Sequence, residues 1–231
     1  MKIGIIGPTE NEIMPFVKSI SDVKIVSTAM LKFYNGVYKN INVVALYCGV
    51  CKVNAAIATQ ILIDKFSVSH IIVVGVAGGI DKTLKIGDTV IATEIAYHDV
   101  DDGILTEYHP WMESIYFKSE AILIHYCKKA LKQNKFEQTV SFGKIVTGES
   151  FIIQNGREEI ILKYNPLCVD METASIAHVC YVNEIPFLAI RSITDTEEEC
   201  GIEAFEENCV DVSLNSIKIL KALLEQLSYT F

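Results

Sequence analysis

The sequence of 231 residues has no apolar run long enough to cross a membrane and no excess of basic charge. Its longest nearly uncharged apolar stretch, residues 71–80, is about half of the ~20 residues that a membrane helix needs. The chain has 20 basic and 29 acidic residues, a formal charge of -9, which argues against non-specific binding to nucleic acid or to an anionic membrane. The N-terminal segment lacks the apolar region and cleavage site of a signal peptide, so a cytoplasmic location is expected.

The composition is that of a globular protein with reduced cysteines. Half of the residues are hydrophobic and 21% are charged, which excludes wholesale disorder. There is no internal repeat, low-complexity tract or Gly/Ser-rich linker, so we predict one domain over residues 1–231. The seven cysteines are odd in number and irregularly spaced, and free thiols are expected in a chain without an export signal.

Short β-branched runs alternate with segments of helical period. The strongest predicted strands are KIGIIG, INVVALYCGV and HIIVVGVAGG, and helices such as KVNAAIATQILIDKF lie between them. The spacing within that helix predicts one apolar face made of Val53, Ile57, Ile61 and Leu62. Further strands are expected in DTVIATEIAYHD, SFGKIVTGESF, LCVDME and PFLAIRSITD, and the chain ends in the helical segment VDVSLNSIKILKALLEQL. The alternation predicts an α/β fold with a central, mostly parallel or mixed sheet flanked by helices on both faces.

Carboxylates follow several of the predicted strands. Glu12, Glu172 and Asp195 come just after strands or at strand ends, and Arg191 lies four residues before Asp195. In open α/β sheets, ligands bind beyond the carboxyl ends of the strands, so we expect these groups to meet at one site. A single carboxylate there is usually a helix cap or a first-turn residue that matches the helix dipole. That interpretation is weaker for three carboxylates at neighbouring strand ends.

Two cysteine patterns suggest other functions. Cys48-Gly49-Val50-Cys51 is a CxxC between an apparent strand and a helix, the setting of thioredoxin-like redox motifs. However, the chain is about twice the size of a minimal thioredoxin domain, and earlier strands precede the motif. Zinc binding would need a second comparable pair, and Cys200 with Cys209 is the only other closely spaced one.

Other site chemistries have less support. The turns GVAGG and IGPTENE match neither GxGxxG nor a P-loop, and Glu10 and Glu12 in the second turn would repel phosphate. His98 lies beside Asp99 at a strand end, where a structural hydrogen bond is a simpler role than catalysis. There is no nucleophile elbow for acyl hydrolysis. The pattern favours a neutral, polyhydroxylated ligand and an activated water.

The chain resembles the 5′-methylthioadenosine/S-adenosylhomocysteine nucleosidases of the nucleoside phosphorylase superfamily. The resemblance covers nearly the whole chain and is most specific in VDMETASIAHVC together with RSITD. It extends to CGVCKVNAA, VVGVAGG, LKIGD, YHDVD and TGESFI. It implies a single α/β domain, usually a homodimer, that cleaves the N-glycosidic bond of adenosine thioethers with water. It implies no metal and no organic cofactor.

The resemblance also implies roles for residues of this sequence. Glu12 would deprotonate the attacking water with help from Arg191, and Asp195 would protonate nitrogen 7 of the departing adenine. Glu172 would bind the ribose hydroxyls and face the positive charge that develops on the sugar. Phe151 would stack on adenine, and the backbone of Ile152 would read the Watson–Crick edge of the base. Met171 would pack on the ribose, and Phe205 would cover the 5′ substituent together with a loop of the partner subunit. The other implied substrate-binding residues are Val76, Ala77, Gly78 and Asp170.

These roles agree with the chemistry of glycoside cleavage. Fixed carboxylates in a site closed to water stabilise an oxocarbenium-like transition state. Adenine is a poor leaving anion, so a positioned acid contributes, and Asp195 can be that acid only if its pKa is raised or if it relays a proton. Phosphorolysis would require basic residues around a phosphate pocket, and no arginine adjoins GVAGG in the sequence.

Several positions depart from the family pattern. Pro8 and Thr9 replace the Ala-Met that often follows the first strand, and Cys51 replaces a common Gly. Val76 replaces a Ser found in some members, Thr194 replaces Ser, and the segment 101–116, which carries Trp111, is short. The alternatives left open are a nucleoside phosphorylase, a nucleosidase for another adenosine derivative, a thiol-redox protein and a non-catalytic binding protein.

Overall fold

A computed structural model describes residues 1–153 and 156–229 of the chain. Its strands are β1 (Lys2–Gly7), β2 (Ser21–Thr28), β3 (Leu31–Tyr38), β4 (Ile41–Tyr47), β5 (His70–Gly79), β6 (Thr89–Tyr97), β7 (Phe117–Lys118), β8 (Val140–Thr147), β9 (Cys168–Asp170) and β10 (Phe187–Asp195). Its helices are α1 (Glu10–Val17), α2 (Lys52–Phe66), α3 (Asp102–Glu107), α4 (Ala121–Gln133), α5 (Arg157–Tyr164), α6 (Thr173–Val182) and α7 (Ile202–Ser228). The predicted α/β fold with a mixed sheet is confirmed. The predicted domain, residues 1–231, ends beyond the described residues.

The sheet is built around β5. This strand pairs in parallel with β1 and β10, and its last two residues pair antiparallel with β9. Because β10 also pairs with β6, β6 with β8, and β8 with β9, five of the strands form a closed ring. The strands β1, β4, β3 and β2 continue the sheet outward from β5.

Helices cover the sheet on two sides, as the alternating pattern predicts. On one side α2 packs against α6, and on the other α7 packs against α1 and α4. Each side has its own apolar core, with Leu62 and Ile176 in the first and Phe16, Leu123 and Leu220 in the second. Among the described residues, no helix is long and apolar enough to span a membrane.

The predicted apolar face of α2 is wrong for Val53 and Ile57 but right for Ile61 and Leu62, which pack into the core. Val53 is 70% exposed and Ile57 is 45% exposed, whereas Leu62 is fully buried. The buried face consists instead of Ala55, Ala58, Thr59, Leu62 and Phe66. Small residues lie on this face because α2 packs closely on α6, so large apolar residues do not identify it.

The hairpin of β2 and β3 has no counterpart among the predicted elements. Its two-residue turn consists of Ala29 and Met30, both with positive φ (51° and 61°), where Asn-Gly or a similar pair is the usual signal. Most of β2 is exposed, so it lacks the alternation of a half-buried strand.

The C-terminal helix begins earlier than its apolar pattern indicates. The predicted segment starts at Val210, but α7 starts at Ile202. Its first two turns are mainly polar and carry glutamates at positions 203, 206 and 207. These turns bring Phe205 close to the carboxyl ends of β5 and β10.

Leu62→Ala is expected to lower the free energy of unfolding by about 2–5 kcal/mol, because it leaves a cavity in a fully buried position. Leu162→Ala is the matched control, since Leu162 is 85% exposed, and its effect should stay within about 0.5 kcal/mol. Urea unfolding of both variants measures the difference. Equal losses would contradict the packing of α2 described above.

Candidate active site

A cavity of about 260 Å³ opens where the ends of β1, β5, β9 and β10 meet. The predicted site residues that line it are Glu12, Val76, Ala77, Gly78, Phe151, Ile152, Asp170, Met171, Glu172, Asp195 and Phe205. Arg191 does not line the cavity but lies buried behind it. The structure therefore brings together every residue that the sequence analysis assigns to the site.

The strand ends meet because β9 and β5 pair only at their tips, which the sequence does not indicate. β9 runs antiparallel to β5, so its end would lie at the opposite edge of an ordinary sheet. The two strands overlap only at their tips, with Gly78 opposite Val169 and Gly79 opposite Cys168. The carboxyl ends of two oppositely directed groups of strands therefore face each other across the cavity.

Arg191 is the centre of the polar network behind the cavity. Its side chain is fully buried, Nε lies 2.8 Å from Asp170 Oδ2, and Nη2 lies 3.3 Å from Glu172 Oε2. Nε and Nη2 also donate to the hydroxyl of Thr173 at 3.1 and 2.9 Å. Nη1 has no hydrogen-bond partner among the described residues, so one charged donor remains for another group.

Asp170 holds this arginine from the end of β9. Its carboxylate accepts hydrogen bonds from the Thr147 hydroxyl at 2.6 Å, from the Thr173 backbone N–H at 3.1 Å and from the Thr173 hydroxyl. With the Arg191 ion pair added, both carboxylate oxygens are already bonded. The geometry makes Asp170 an anchor of the network, although it also lies along the cavity wall.

Glu172 is the N-cap residue of α6 and faces both the cavity and Arg191. Its Oε1 accepts a hydrogen bond from the backbone N–H of Cys51 at 3.0 Å. Cys51 has a φ of 80°, an unfavourable conformation for a residue with a side chain, and it stands where the resembling family commonly has Gly. Burial raises the pKa of Glu172 to about 7, although the positive charge of Arg191 opposes this shift.

Glu12 reaches the cavity from the first turn of α1. Its Oε1 accepts the backbone N–H of Val76 at 2.9 Å, and its Oε2 accepts the backbone N–H of Thr9 at 3.0 Å. Burial raises the pKa of Glu12, and Arg191 and these hydrogen bonds partly offset the effect. A buried carboxylate of this kind is a stronger base, when ionised, than one exposed to water.

Asp195 lies on the other side of the cavity, at the end of β10. The pairing of β10 with β5 is irregular between Ile193 and Asp195, which places the Asp195 side chain beside Gly78. The Thr194 hydroxyl donates to Asp195 Oδ1 at 2.9 Å. Burial raises the pKa of Asp195, as a general acid requires, while the Thr194 hydrogen bond and Arg157 lower it.

The wall between these carboxylates is largely apolar. Phe151 and Phe205 meet edge to face with ring centroids 6.0 Å apart, and Met171 lies along the same cavity. Phe151 remains partly exposed, so its ring is accessible to a flat ligand. Aromatic and apolar walls with a few fixed polar groups are typical of small-molecule sites.

The structure argues against thiol-redox chemistry at the CxxC. Burial raises the pKa of both Cys48 and Cys51, whereas a redox-active thiol has a lowered pKa. Within the described residues, no group of three His, Cys, Asp or Glu side chains is arranged to hold a metal ion. His98 is half-buried, and burial lowers its pKa.

Several residues near the site have no signal in the sequence analysis. Arg157, 78 residues from Gly79 in the chain, is buried and donates to the backbone carbonyls of Gly79 and Ile80 at the end of β5. An arginine therefore adjoins GVAGG in space, although none does along the sequence. The cavity is also lined by Pro8, Thr9, Val50, Ser150, Val169, Thr194, Ile202 and Glu206.

The fold and this buried carboxylate–arginine site define a member of the phosphorylase superfamily, whose sequence profile matches residues 2–225. A 5′-methylthioadenosine/S-adenosylhomocysteine nucleosidase of Exiguobacterium sp. is 39% identical over 98% of this chain and 99% of its own. The nucleosidase of that name from Colwellia psychrerythraea, solved with adenine, is 33% identical, with a TM-score of 0.89 over 98% of this chain and 96% of its own. The chain belongs to this nucleosidase family and is an N-glycosyl hydrolase.

A related hydrolase shares the fold at lower identity. The futalosine hydrolase of Helicobacter pylori is 28% identical, with a TM-score of 0.88 over 98% of this chain and 98% of its own. The same fold therefore carries hydrolases whose names give different substrates.

Gly75→Ala is expected to lower kcat on the order of 10²-fold, because it displaces two site groups. Gly75 has a φ of 148°, and a Cβ there would lie 2.4 Å from Glu12 Oε1 and 2.7 Å from Arg191 Nη1. Gly87→Ala is the matched control, since Gly87 also has positive φ (90°) but a Cβ there would meet only Asn215, at 3.7 Å.

Adenine release from an adenosine thioether measures the turnover of both variants, and thermal unfolding measures their stability. Both should be destabilised, but only Gly75→Ala should lose turnover. A similar kcat for the two folded variants would contradict the close contact of Gly75 with Glu12 and Arg191.

Proposed function

We propose that this enzyme hydrolyses the N-glycosidic bond of 5′-methylthioadenosine and S-adenosylhomocysteine, and of 5′-deoxyadenosine, to adenine and the corresponding ribose or 5-thioribose product. The observation that carries the proposal is the placement of three buried carboxylates, Glu12, Glu172 and Asp195, around one cavity. This arrangement suits a base, an acid and an anion that stabilises positive charge. The names of the relatives supply the substrate class.

Glu12 acts on the nucleophile. Its Oε1 and Arg191 Nη1 both lie close to the point that a Cβ on Gly75 would occupy, so a water molecule there can donate a hydrogen bond to Oε1 and accept one from Nη1. Water attacks the anomeric carbon of the ribose, and its proton passes to Glu12. The burial that raises the pKa of Glu12 makes it a stronger acceptor for this proton.

Glu172 stabilises the sugar as the glycosidic bond breaks. The ribose ring gains oxocarbenium character, and a fixed carboxylate in a cavity of low dielectric stabilises that positive charge. Glu172 also accepts hydrogen bonds from the ribose hydroxyls, and Met171 packs on the ring. Asp170 and Arg191 hold Glu172 in place, so Asp170 supports the site rather than binding the substrate directly.

Asp195 acts on the leaving group. It donates a proton toward nitrogen 7 of adenine, so the base departs as a neutral molecule rather than as an anion. Phe151 stacks on adenine, the Ile152 backbone pairs with its edge, and Val76, Ala77 and Gly78 form the opposite wall. Thr194 orients the carboxyl group through its hydrogen bond to Oδ1.

The far end of the cavity receives the 5′ substituent. Phe205 and Ile202 from α7, together with Val50, form an apolar wall suited to a thioether. We propose a homodimer in the cytoplasm, in which a loop of the partner subunit completes this wall. The exposed Tyr108 and Trp111 (66% and 63%) support an apolar contact between subunits in the segment 101–116.

Water rather than phosphate is the proposed nucleophile. The described residues that line the cavity include five carboxylates and neither lysine nor arginine. A phosphate dianion would be repelled there, and Arg191 is already paired with Asp170 and Glu172.

Adenine release from 5′-methylthioadenosine should proceed at the same rate with and without added phosphate. Chromatography of the products distinguishes free thioribose from its 1-phosphate. The Glu12→Gln variant should lose nearly all turnover, while Glu10→Gln, the control on the same helix, should keep it. Strict dependence on phosphate would overturn the proposal, and S-adenosylhomocysteine and futalosine should be tested as competing substrates.

Asp195→Asn should lower kcat by about 10²–10⁴-fold, because the amide cannot supply the proton to adenine. KM should change little, since most of the lost interaction belongs to the transition state. Asp211→Asn is the control, because Asp211 is an exposed aspartate on α7. Near-normal turnover in a folded Asp195→Asn variant would rule out the acid role.

A further inference from the structure

Thr9 forms a capping box with Glu12 and adds a hydrogen bond between the two side chains. It is the N-cap of α1, and its hydroxyl donates to Glu12 Oε2 at 2.5 Å while its backbone N–H donates to the same oxygen at 3.0 Å. Among the described residues, this hydroxyl is the only side-chain donor to which Glu12 is hydrogen-bonded. Thr9 also lines the cavity, so the contact lies at the edge of the site.

An N-cap hydroxyl usually serves the helix by accepting a backbone N–H, and its own proton is free to point elsewhere. Here that proton is directed to the carboxylate that is proposed as the base. Glu12 is only 2% exposed, so water cannot replace a lost donor as it would at the surface. The contact therefore affects the reactivity of Glu12 as well as the start of α1.

The two oxygens of Glu12 have different surroundings. Oε2 receives both hydrogen bonds from Thr9, whereas Oε1 accepts the backbone N–H of Val76 and lies close to Gly75 and on the side of Arg191 Nη1. The donors to Oε2 therefore act together with the Val76 N–H to fix which way Oε1 points.

We propose that the Thr9 hydroxyl is a positioning group for the base: it holds Glu12 Oε2, so that Oε1 beside Arg191 receives the proton of the attacking water. This inference rests on the proposed function. A donor to Oε2 also stabilises the ionised carboxylate, so loss of the hydroxyl raises the pKa of Glu12 further.

Four charged or titratable groups from other elements face Glu12. Arg191 stays positive, and burial raises the pKa of Glu172 to about 7. Burial also raises the pKa of the thiols of Cys48 and Cys209, which therefore stay neutral on the acid side. None of these groups changes in a Thr9 variant, so a difference between such variants reports on the hydroxyl itself.

The test is the pH dependence of kcat/KM for 5′-methylthioadenosine in Thr9→Ser, Thr9→Cys and Thr9→Val. Ser keeps the hydroxyl, Cys supplies only a weak S–H donor, and Val has the shape of Thr with no donor. The pH at the midpoint of the acid limb of this profile should be unchanged in Thr9→Ser and higher in Thr9→Cys. In Thr9→Val it should be higher by about one to two pH units. At high pH, kcat should be lower for Val, while KM should stay close to that of the wild type.

Two results would overturn the inference. Superimposed acid limbs in all the variants would mean that the hydroxyl does not act on Glu12. A change in KM or substrate preference with an unmoved limb would mean that Thr9 only shapes the cavity. If Thr9→Val does not fold, the Ser and Cys variants still decide the question. If the hydroxyl had no effect on Glu12, the acid limbs of these two variants would have the same midpoint pH.

A second measurement separates this inference from the proposed function. The infrared band of protonated Glu12, identified by its loss in Glu12→Gln, can be titrated without turnover. It should titrate at higher pH in Thr9→Val than in wild type. If the band titrates at the same pH in Thr9→Val and in wild type, while adenine release remains independent of phosphate, the Thr9 inference alone is overturned. No adenine release from folded wild-type enzyme overturns the proposed function and, with it, the catalytic role of Thr9.

Discussion

The burial of the Arg191 guanidinium is the constraint on which the site depends. A fully buried cation is costly unless carboxylates and hydrogen-bond acceptors surround it, and here Asp170, Glu172 and Thr173 do so. These partners come from the end of β9 and the start of α6, whereas Arg191 belongs to β10. The ion pairs therefore join two parts of the sheet that run in opposite directions, and they hold Glu172 at the cavity wall.

The tip-to-tip pairing of β5 and β9 gives this network its geometry. Because the strands overlap by only two residues, the turn after β9 faces the Gly-rich end of β5 rather than lying along its side. The cavity is then lined by Glu12 from α1, by Glu172 from the start of α6 and by Asp195 from the end of β10. Each carboxylate is buried, and burial raises the pKa of all three. This common shift suits groups that exchange protons or balance charge near neutral pH.

The sequence predicts the fold class, most of the strands and the membership of the site, and it fails where local signals are absent. The strands near the site are continuous apolar runs, which identify them as buried. The β2–β3 hairpin turns on Ala29 and Met30, residues that do not mark a primed turn, and α2 buries alanines while exposing Val53. In α2 the tertiary packing outweighs the local preference, whereas in the hairpin the mostly exposed β2 lacks the alternation that marks a strand. Arg157 was missed as part of the site because nothing in its neighbourhood along the chain distinguishes it from surface residues, and Thr9, although next to the predicted site, gave no sign of its contact with Glu12.

The sequence by itself determined which chemical groups are available: three carboxylates and an arginine at strand ends, and a pattern of motifs shared with one nucleosidase family. Only the tertiary structure decided the contacts and the burial of each of these groups. It removed Arg191 from the cavity wall, paired it with Oδ2 of Asp170, and turned the hydroxyl of Thr9 toward Glu12. The physical reason is that burial and hydrogen bonding set the charge and direction of each group, and both depend on contacts between residues far apart in the chain.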